Sequence, residues 1–129
     1  MATEGNPCQL CAPRDALFEN ALAYARYDNN SLSHGHVLVV PKRHVANFFD
    51  MTADEQSAVL ALLNAAQRSI QKQHSPDGYN IGVNIGQAGG QARMHVHVHL
   101  IPRYAGDVPD PRGGIRWVVP AKARYWSPE

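Results

Sequence analysis

From His95 to Ile101 the chain alternates imidazole and aliphatic side chains, reading His95-Val96-His97-Val98-His99-Leu100-Ile101. Period two is the pattern of a β-strand, because successive side chains leave a pleated backbone on opposite faces. Over residues 94–103 it sets three histidines on one face and turns Val96, Val98 and Leu100 towards a core. A fold that accepts this stretch needs a sheet with one face covered and the other open to chemistry. Gly82, Gly86, Gly89 and Gly90 come just before, where backbone can approach a ligand closely.

The neighbouring segments supply such a sheet. Gly35-His36-Val37-Leu38-Val39-Val40-Pro41 is a continuous, β-branched apolar run ended by proline, which predicts a buried strand. Tyr79-Asn80-Ile81-Gly82-Val83-Asn84-Ile85 alternates and predicts another. Gly86-Gln87-Ala88-Gly89-Gly90-Gln91 is a turn that hands over to the histidine strand, so the two form an antiparallel hairpin. A short strand is expected at 20–24, before the turn cluster Asp28-Asn29-Asn30-Ser31. Thr52-Ala53-Asp54-Glu55 is a capping box, and Val59, Leu62, Leu63, Ala66 and Ile70 follow at helical spacing. A helix is therefore expected over 53–73, its apolar stripe covering the sheet. His34 and His74 read as surface residues. The segment 104–129 has prolines at 109, 111, 120 and 128 and no helical period, yet carries Trp117, Tyr125 and Trp126. It reads as an extended arm packed on the body or on a second subunit.

The chain has 129 residues, 44% hydrophobic and 18% charged, which is the size and composition of one globular domain over 1–129. No apolar run is long enough to cross a bilayer. The first residues have neither a basic nor an apolar signal region, so a cytoplasmic location is expected. A net charge of +1 gives no reason for an obligate nucleic-acid partner. Basic residues gather after residue 92, at Arg93, Arg103, Arg112, Arg116, Lys122 and Arg124. They suit either an anionic ligand or a solvated face.

Two groups carry chemistry. Cys8 and Cys11 form a Cys-x-x-Cys, the only cysteines in the chain. A stable disulfide does not fit a reducing compartment, and a thioredoxin-type pair should follow a strand. Half a zinc site and two free thiols stay open. The three histidines cannot all meet one ion, since the outer two lie about 13 Å apart along a strand rising ~3.3 Å per residue. Covalent catalysis fits better: the middle imidazole attacks an electrophile such as phosphorus while its neighbours orient it or handle protons.

His-φ-His-φ-His-φ-φ, with φ apolar, is the signature of the histidine triad family, which residues 95–101 resemble. Asp28, the run from Gly35 to His44, Asn84 and Gly90-Gln91 also sit where that family has similar residues, so the likeness covers about residues 8–104. The resemblance implies an α+β domain, a five-stranded antiparallel sheet with a main helix packed on it, usually a homodimer. It implies a nucleotide hydrolase or transferase acting at an α-phosphate. His97 is then the nucleophile, His99 contacts the phosphate or the leaving group, and His36 supports them. Asn84 reaches the phosphate region, the backbone at Gly90, Gln91 and Ala92 holds phosphate oxygens, and Asp28 takes the ribose hydroxyls. No metal is required for the reaction. Some members bind a structural zinc, whose ligands match Cys8, Cys11, His44 and His95 here.

Two departures from the family pattern stand out, the first in the shape of a loop and the second against a phosphoramidase. The loop Asn29-Asn30-Ser31-Leu32-Ser33-His34 lacks a proline, and Ala92 stands where the phosphoramidase branch has serine. A dinucleoside polyphosphate of the diadenosine tri- or tetraphosphate kind is the leading substrate class, with Arg93, Arg103, Arg112 and Arg116 as candidate contacts. A phosphoramidase or other nucleotidyl hydrolase, and a nucleotide-binding module with little turnover, are the alternatives.

Overall fold

A computed structural model describes residues 8–127. Residues 1–7, read above for a secretory signal, lie outside that range, as do Pro128 and Glu129. Five strands run in chain order as β1 (Phe18–Glu19), β2 (Ala23–Tyr27), β3 (Val37–Pro41), β4 (Gly78–Val83) and β5 (Val98–Arg103). They form one antiparallel sheet in the order β1-β2-β3-β5-β4. The helix α1 (Ala53–His74) packs on one face of it. This is the α+β architecture that the sequence implies. No helix among the described residues is long and apolar enough to cross a membrane.

Alternation builds the two faces. Ala23, Ala25, Val37, Val39, Val98 and Leu100 point towards α1 and pack on Val59, Leu62, Ala66 and Ile70. On the other face Tyr24, Leu38 and Val40 cluster with Leu10. The register sets Arg26, Leu38, His99 and Gly82 side by side across four strands. Asp28 donates its N–H to His36 O, so two residues further on the same face the rung carries Asp28 and His36, with Ile101 and Asn80 paired beyond them.

The strand expected at 20–24 begins only at Ala23, and residues 20–22 turn between β1 and β2. Asn20 Oδ1 accepts from the N–H groups of Leu22 and Ala23, which folds the chain there and lets β2 run on to Tyr27. The histidine stretch also differs. Pairing with β3 and β4 begins only at Val98, and Val96 N donates to Val45 O instead of to a strand. His95 and His97 thus precede the strand, while Val96, Val98 and Leu100 are buried as expected. The tail is not simply extended. It holds two 3-10 helices, Gly114–Val118 and Pro120–Lys122. Two arginines of the tail are occupied: Arg112 lies 4.8 Å over Trp126 and Arg116 lies 4.8 Å over Tyr125.

The start of α1 is fixed as the sequence predicts. Thr52 Oγ1 accepts from Glu55 N, and Glu55 Oε1 accepts from Thr52 N. Glu55 is buried and also takes Arg43 Nε and Nη2, both at 2.8 Å. The Arg43 guanidinium pulls the Glu55 carboxyl down to about 2, from an ordinary 4.5. The unfolded chain therefore binds this proton first, and the contribution of Glu55 is lost as pH falls from 4.5 to 2. Glu55→Gln is expected to cost about 1–2 kcal/mol at neutral pH and to flatten that part of the acid limb. Denaturant unfolding at a series of pH values measures both; an unchanged acid limb would remove the pair from the stability account.

Candidate active site and metal cluster

A cavity of about 230 Å³ opens on the face of the sheet away from α1. Its floor is the rung of Arg26, Leu38 and His99, and Leu10 closes one side. His97, Asp28, Asn84, Gly90 and Ala92 also line it, as the resemblance implies. Asn29, Asn30 and Arg93 complete the wall.

Hydrogen bonds set the tautomer of each histidine. His97 Nδ1 lies 2.9 Å from His95 O, a carbonyl that only accepts, so Nδ1 carries the proton and Nε2 keeps its lone pair. His36 Nδ1 accepts from Leu32 N–H at 3.0 Å, so its Nε2 holds the proton. That Nε2 lies 3.0 Å from His99 Nδ1, which therefore accepts, and His99 keeps an Nε2–H donor. Neutral forms are favoured here: burial lowers the pKa of His36 against the pull of Asp28, and burial followed by His97 and His36 lowers that of His99. The site thus offers one lone pair at His97 and one N–H donor at His99, with their rings 5.1 Å apart.

Asp28 is tied into this group more closely than a pure ribose contact requires. Its Oδ2 lies 3.4 Å from His36 Nε2 and 3.9 Å from His99 Nδ1, while Oδ1 accepts from Asn30 N. Gln91 is buried and turned into the scaffold. Its Nε2 donates to Ala46 O and Arg93 O and its Oε1 accepts from Gly86 N, which pins the glycine turn under the cavity. Gly86 and Gly90 take φ of 75° and 92° in that turn, and the Gly89 backbone sits against Ile85 O, where a Cβ would stand at 2.4 Å.

Arg103 is not brought to this cavity. Its Nε and Nη2 bind Asp107, its Nη1 donates to Asn80 Oδ1, and it lines a second cavity. Arg112 and Arg116 are likewise spent within the arm, on Asp110 and on the carbonyls of Ala123 and Lys122. Arg93 alone of the four candidate arginines reaches the cavity. Sequence reasoning missed Arg26 and Leu38 as lining residues. Extending period two from Tyr24 along β2 would have found Arg26.

A second cluster lies behind the first. Cys8, Cys11, His44 and His95 each bring one donor atom, all within 4.8 Å of one another, a set that could hold one metal ion. Cys8 Sγ is 3.3 Å and Cys11 Sγ 3.6 Å from His95 Nδ1, and Cys11 Sγ is 3.2 Å from His44 Nδ1. His95 Nε2 donates to Pro41 O at 2.7 Å, so its Nδ1 lone pair faces the sulfurs. Zinc bonds of about 2.0–2.3 Å put neighbouring ligands of a tetrahedron about 3.5 Å apart, so these residues fit the ion. Burial, then the adjoining Cys8 thiol, pushes the Cys11 thiol up, an effect that a cation would oppose. His95 is fully buried and does not line the cavity.

Residues 9–106 match the HIT domain family. The chain is 39% identical over 87 residues to the AP-4-A phosphorylase of Mycobacterium tuberculosis, covering 67% of this chain and 45% of that protein. It is 34% identical over 95 residues to the bifunctional bis(5'-adenosyl)-triphosphatase/adenylylsulfatase FHIT of Arabidopsis thaliana, covering 74% and 53%. It therefore spans about half the length of these curated relatives. Among solved structures, a Zn-bound histidine triad family protein from Mycobacterium smegmatis superposes with a TM-score of 0.70 at 28% identity, covering 80% of this chain and 84% of that one. With the triad, the sheet and the matched span in agreement, the chain belongs to the HIT domain family.

Proposed function

We propose that this chain is a nucleotidyl hydrolase that cleaves a dinucleoside polyphosphate, of the diadenosine tri- or tetraphosphate kind, at the α-phosphate through a covalent His97–nucleotide. The observation that carries this reading is the bond from His97 Nδ1 to His95 O, which assigns Nδ1 as the donor and makes Nε2 the lone-pair atom of the neutral ring, on a residue that lines the cavity. The names of the Mycobacterium tuberculosis and Arabidopsis relatives support the substrate class.

In the first step His97 Nε2 attacks phosphorus, a P–N bond forms, and the bond to the bridging oxygen breaks. The leaving polyphosphate departs as an anion, hydrogen-bonded by His99 Nε2–H. The imidazolium so formed keeps its Nδ1–H on the His95 carbonyl. Water then attacks the same phosphorus, the P–N bond breaks, neutral His97 returns, and the proton of the water passes to solvent. Arg26 and Arg93 are the cations for the phosphates, and Asn84 with the Gly90 and Ala92 backbone are further donors. Arg103, Arg112 and Arg116 have no part in this scheme because they do not line the cavity.

Zinc at Cys8, Cys11, His44 and His95 completes the proposal. It would hold the amino-terminal segment against the residues before β5 and supply no step of the reaction. Hydrolysis of diadenosine tetraphosphate in ¹⁸O-water tests the site of cleavage. The label is expected in AMP. Label in ATP instead would mean attack at the β-phosphorus and would overturn the scheme.

A further inference from the structure

We infer that the cavity beneath the C-terminal arm is a second ligand site, which seats the flat aromatic end of the group leaving the α-phosphate. This deepens the nucleotidyl hydrolase reading and rests on it. The cavity measures about 460 Å³, within the usual range of ligand sites. Its floor is Ile101 and Asn80, two residues along the strands from His99 and Gly82 and so on the same face of the sheet. Two residues of strand separate the floors, about 7 Å at ~3.3 Å per residue. The loop after β2 serves both cavities: Asp28, Asn29 and Asn30 line the first, and Leu32 and Ser33 line the second. The roof comes from the arm, through Ile115, Trp117 and Val118. Gly82 makes room for it, since a Cβ there would stand 3.7 Å from Ile115 Cδ1.

The chemistry of the lining selects the occupant. Its polar groups are bound internally: Arg103 to Asp107 and Asn80, Ser33 Oγ to Pro102 O, and Trp117 Nε1 to Arg112 O. What faces the space is the aliphatic surface of Leu32, Ile101, Ile115 and Val118 and the indole of Trp117. Asn80 Oδ1 is taken by Arg103, and Asn80 Nδ2 has no partner among the described residues. No uncompensated cation is offered, so a phosphate chain gains nothing there. A planar, uncharged ring with an acceptor on its edge gains apolar burial, contact with the indole and one hydrogen bond. The arm is braced to hold this shape by Arg112 over Trp126 and Arg116 over Tyr125. Such a ring can be the distal nucleobase of a dinucleoside polyphosphate or the aryl group of a nucleoside phosphoramidate.

Matched substrates separate these sources and test the site. One pair is diadenosine tetraphosphate and adenosine tetraphosphate, which differ by the distal nucleoside. The other is the phosphoramidate of AMP with 2-(pyridin-3-yl)ethylamine, whose ring carries an acceptor on its edge, and the unsubstituted phosphoramidate. Wild-type protein is expected to favour the aromatic member of one pair by about tenfold in kcat/KM, and that pair names the source. Ile115→Arg and Val118→Arg, at positions 62% and 76% exposed, fill the space without touching the core. Both are expected to bring the ratio close to one. Discrimination in neither pair, or a ratio unmoved by both variants, overturns the second site. If no substrate turns over, the hydrolase reading fails separately, and Trp117 fluorescence in a Trp126→Phe background decides the site. Quenching by diadenosine tetraphosphate beyond that by adenosine tetraphosphate sustains it, and equal quenching removes it.

Discussion

Replacing His97 with alanine is expected to lower kcat on diadenosine tetraphosphate by at least about a thousandfold, with the fold intact. The nucleophile in the proposed reaction is a single lone pair, and no neighbour can supply a substitute. His99 Nδ1 is turned to His36, and its other nitrogen carries a proton. His95 is buried with one nitrogen on Pro41 O and the other facing the two sulfurs. Removing an attacking group that acts with its partners as a unit costs several orders of magnitude in other covalent enzymes. Nucleotide affinity should change much less, since Leu10, Arg26, Leu38, Asp28 and Asn84 remain. Alkaline quenching of wild-type protein during turnover should trap nucleotide on His97, because a P–N bond survives base, whereas the alanine variant should trap none. Wild-type turnover by His97→Ala would end the covalent scheme outright.

The histidine–valine alternation made the two faces of β5 legible, and the capping box located the start of α1 at its observed position. The strand bounds were less legible, because ladder partners and not propensity decide them. Nothing local tells His95 and His97 that Val45, rather than a strand, receives the N–H between them. The cluster of Cys8, Cys11, His44 and His95 joins residues 33 to 87 positions apart, so the resemblance could suggest it where spacing could not. The arginines misled for a similar reason. Their number after residue 92 is visible in the sequence, but the pairing of Arg103 with Asp107 and the packing of Arg112 and Arg116 on aromatic rings arise only when the arm folds. The second cavity was invisible as well, since its roof and floor come from segments that read separately as a prolyl tail and a strand.

If the proposed zinc is bound at Cys8, Cys11, His44 and His95, its loss is expected to be the largest stability effect in the molecule. Cys11→Ser, or prolonged treatment with a chelator, should remove about one zinc per chain and cost about 3 kcal/mol or more, lowering the thermal midpoint by about 10 °C. The cause lies in what the turn from Cys8 to Cys11 holds. Cys11 N donates to Cys8 O, and the two residues inside that turn serve the cavity lined by His97 and Asp28. Leu10 lines it and accepts at its carbonyl from Tyr24 Oη at 2.7 Å, a phenol whose pKa burial pushes up to about 12. Gln9 Oε1 accepts from Arg93 Nη1, a second lining residue. Releasing the thiols therefore frees one wall of the cavity as well as the amino-terminal segment. Nucleotide binding should weaken about tenfold in the chelated protein, and kcat should fall less than KM rises, because His97 keeps its own bond to the His95 carbonyl. Metal analysis, thermal unfolding and calorimetric titration with a nucleoside monophosphate measure the three effects independently. A chain that purifies without zinc and melts at the same temperature before and after chelation would reduce Cys8 and Cys11 to two thiols packed beside a buried imidazole.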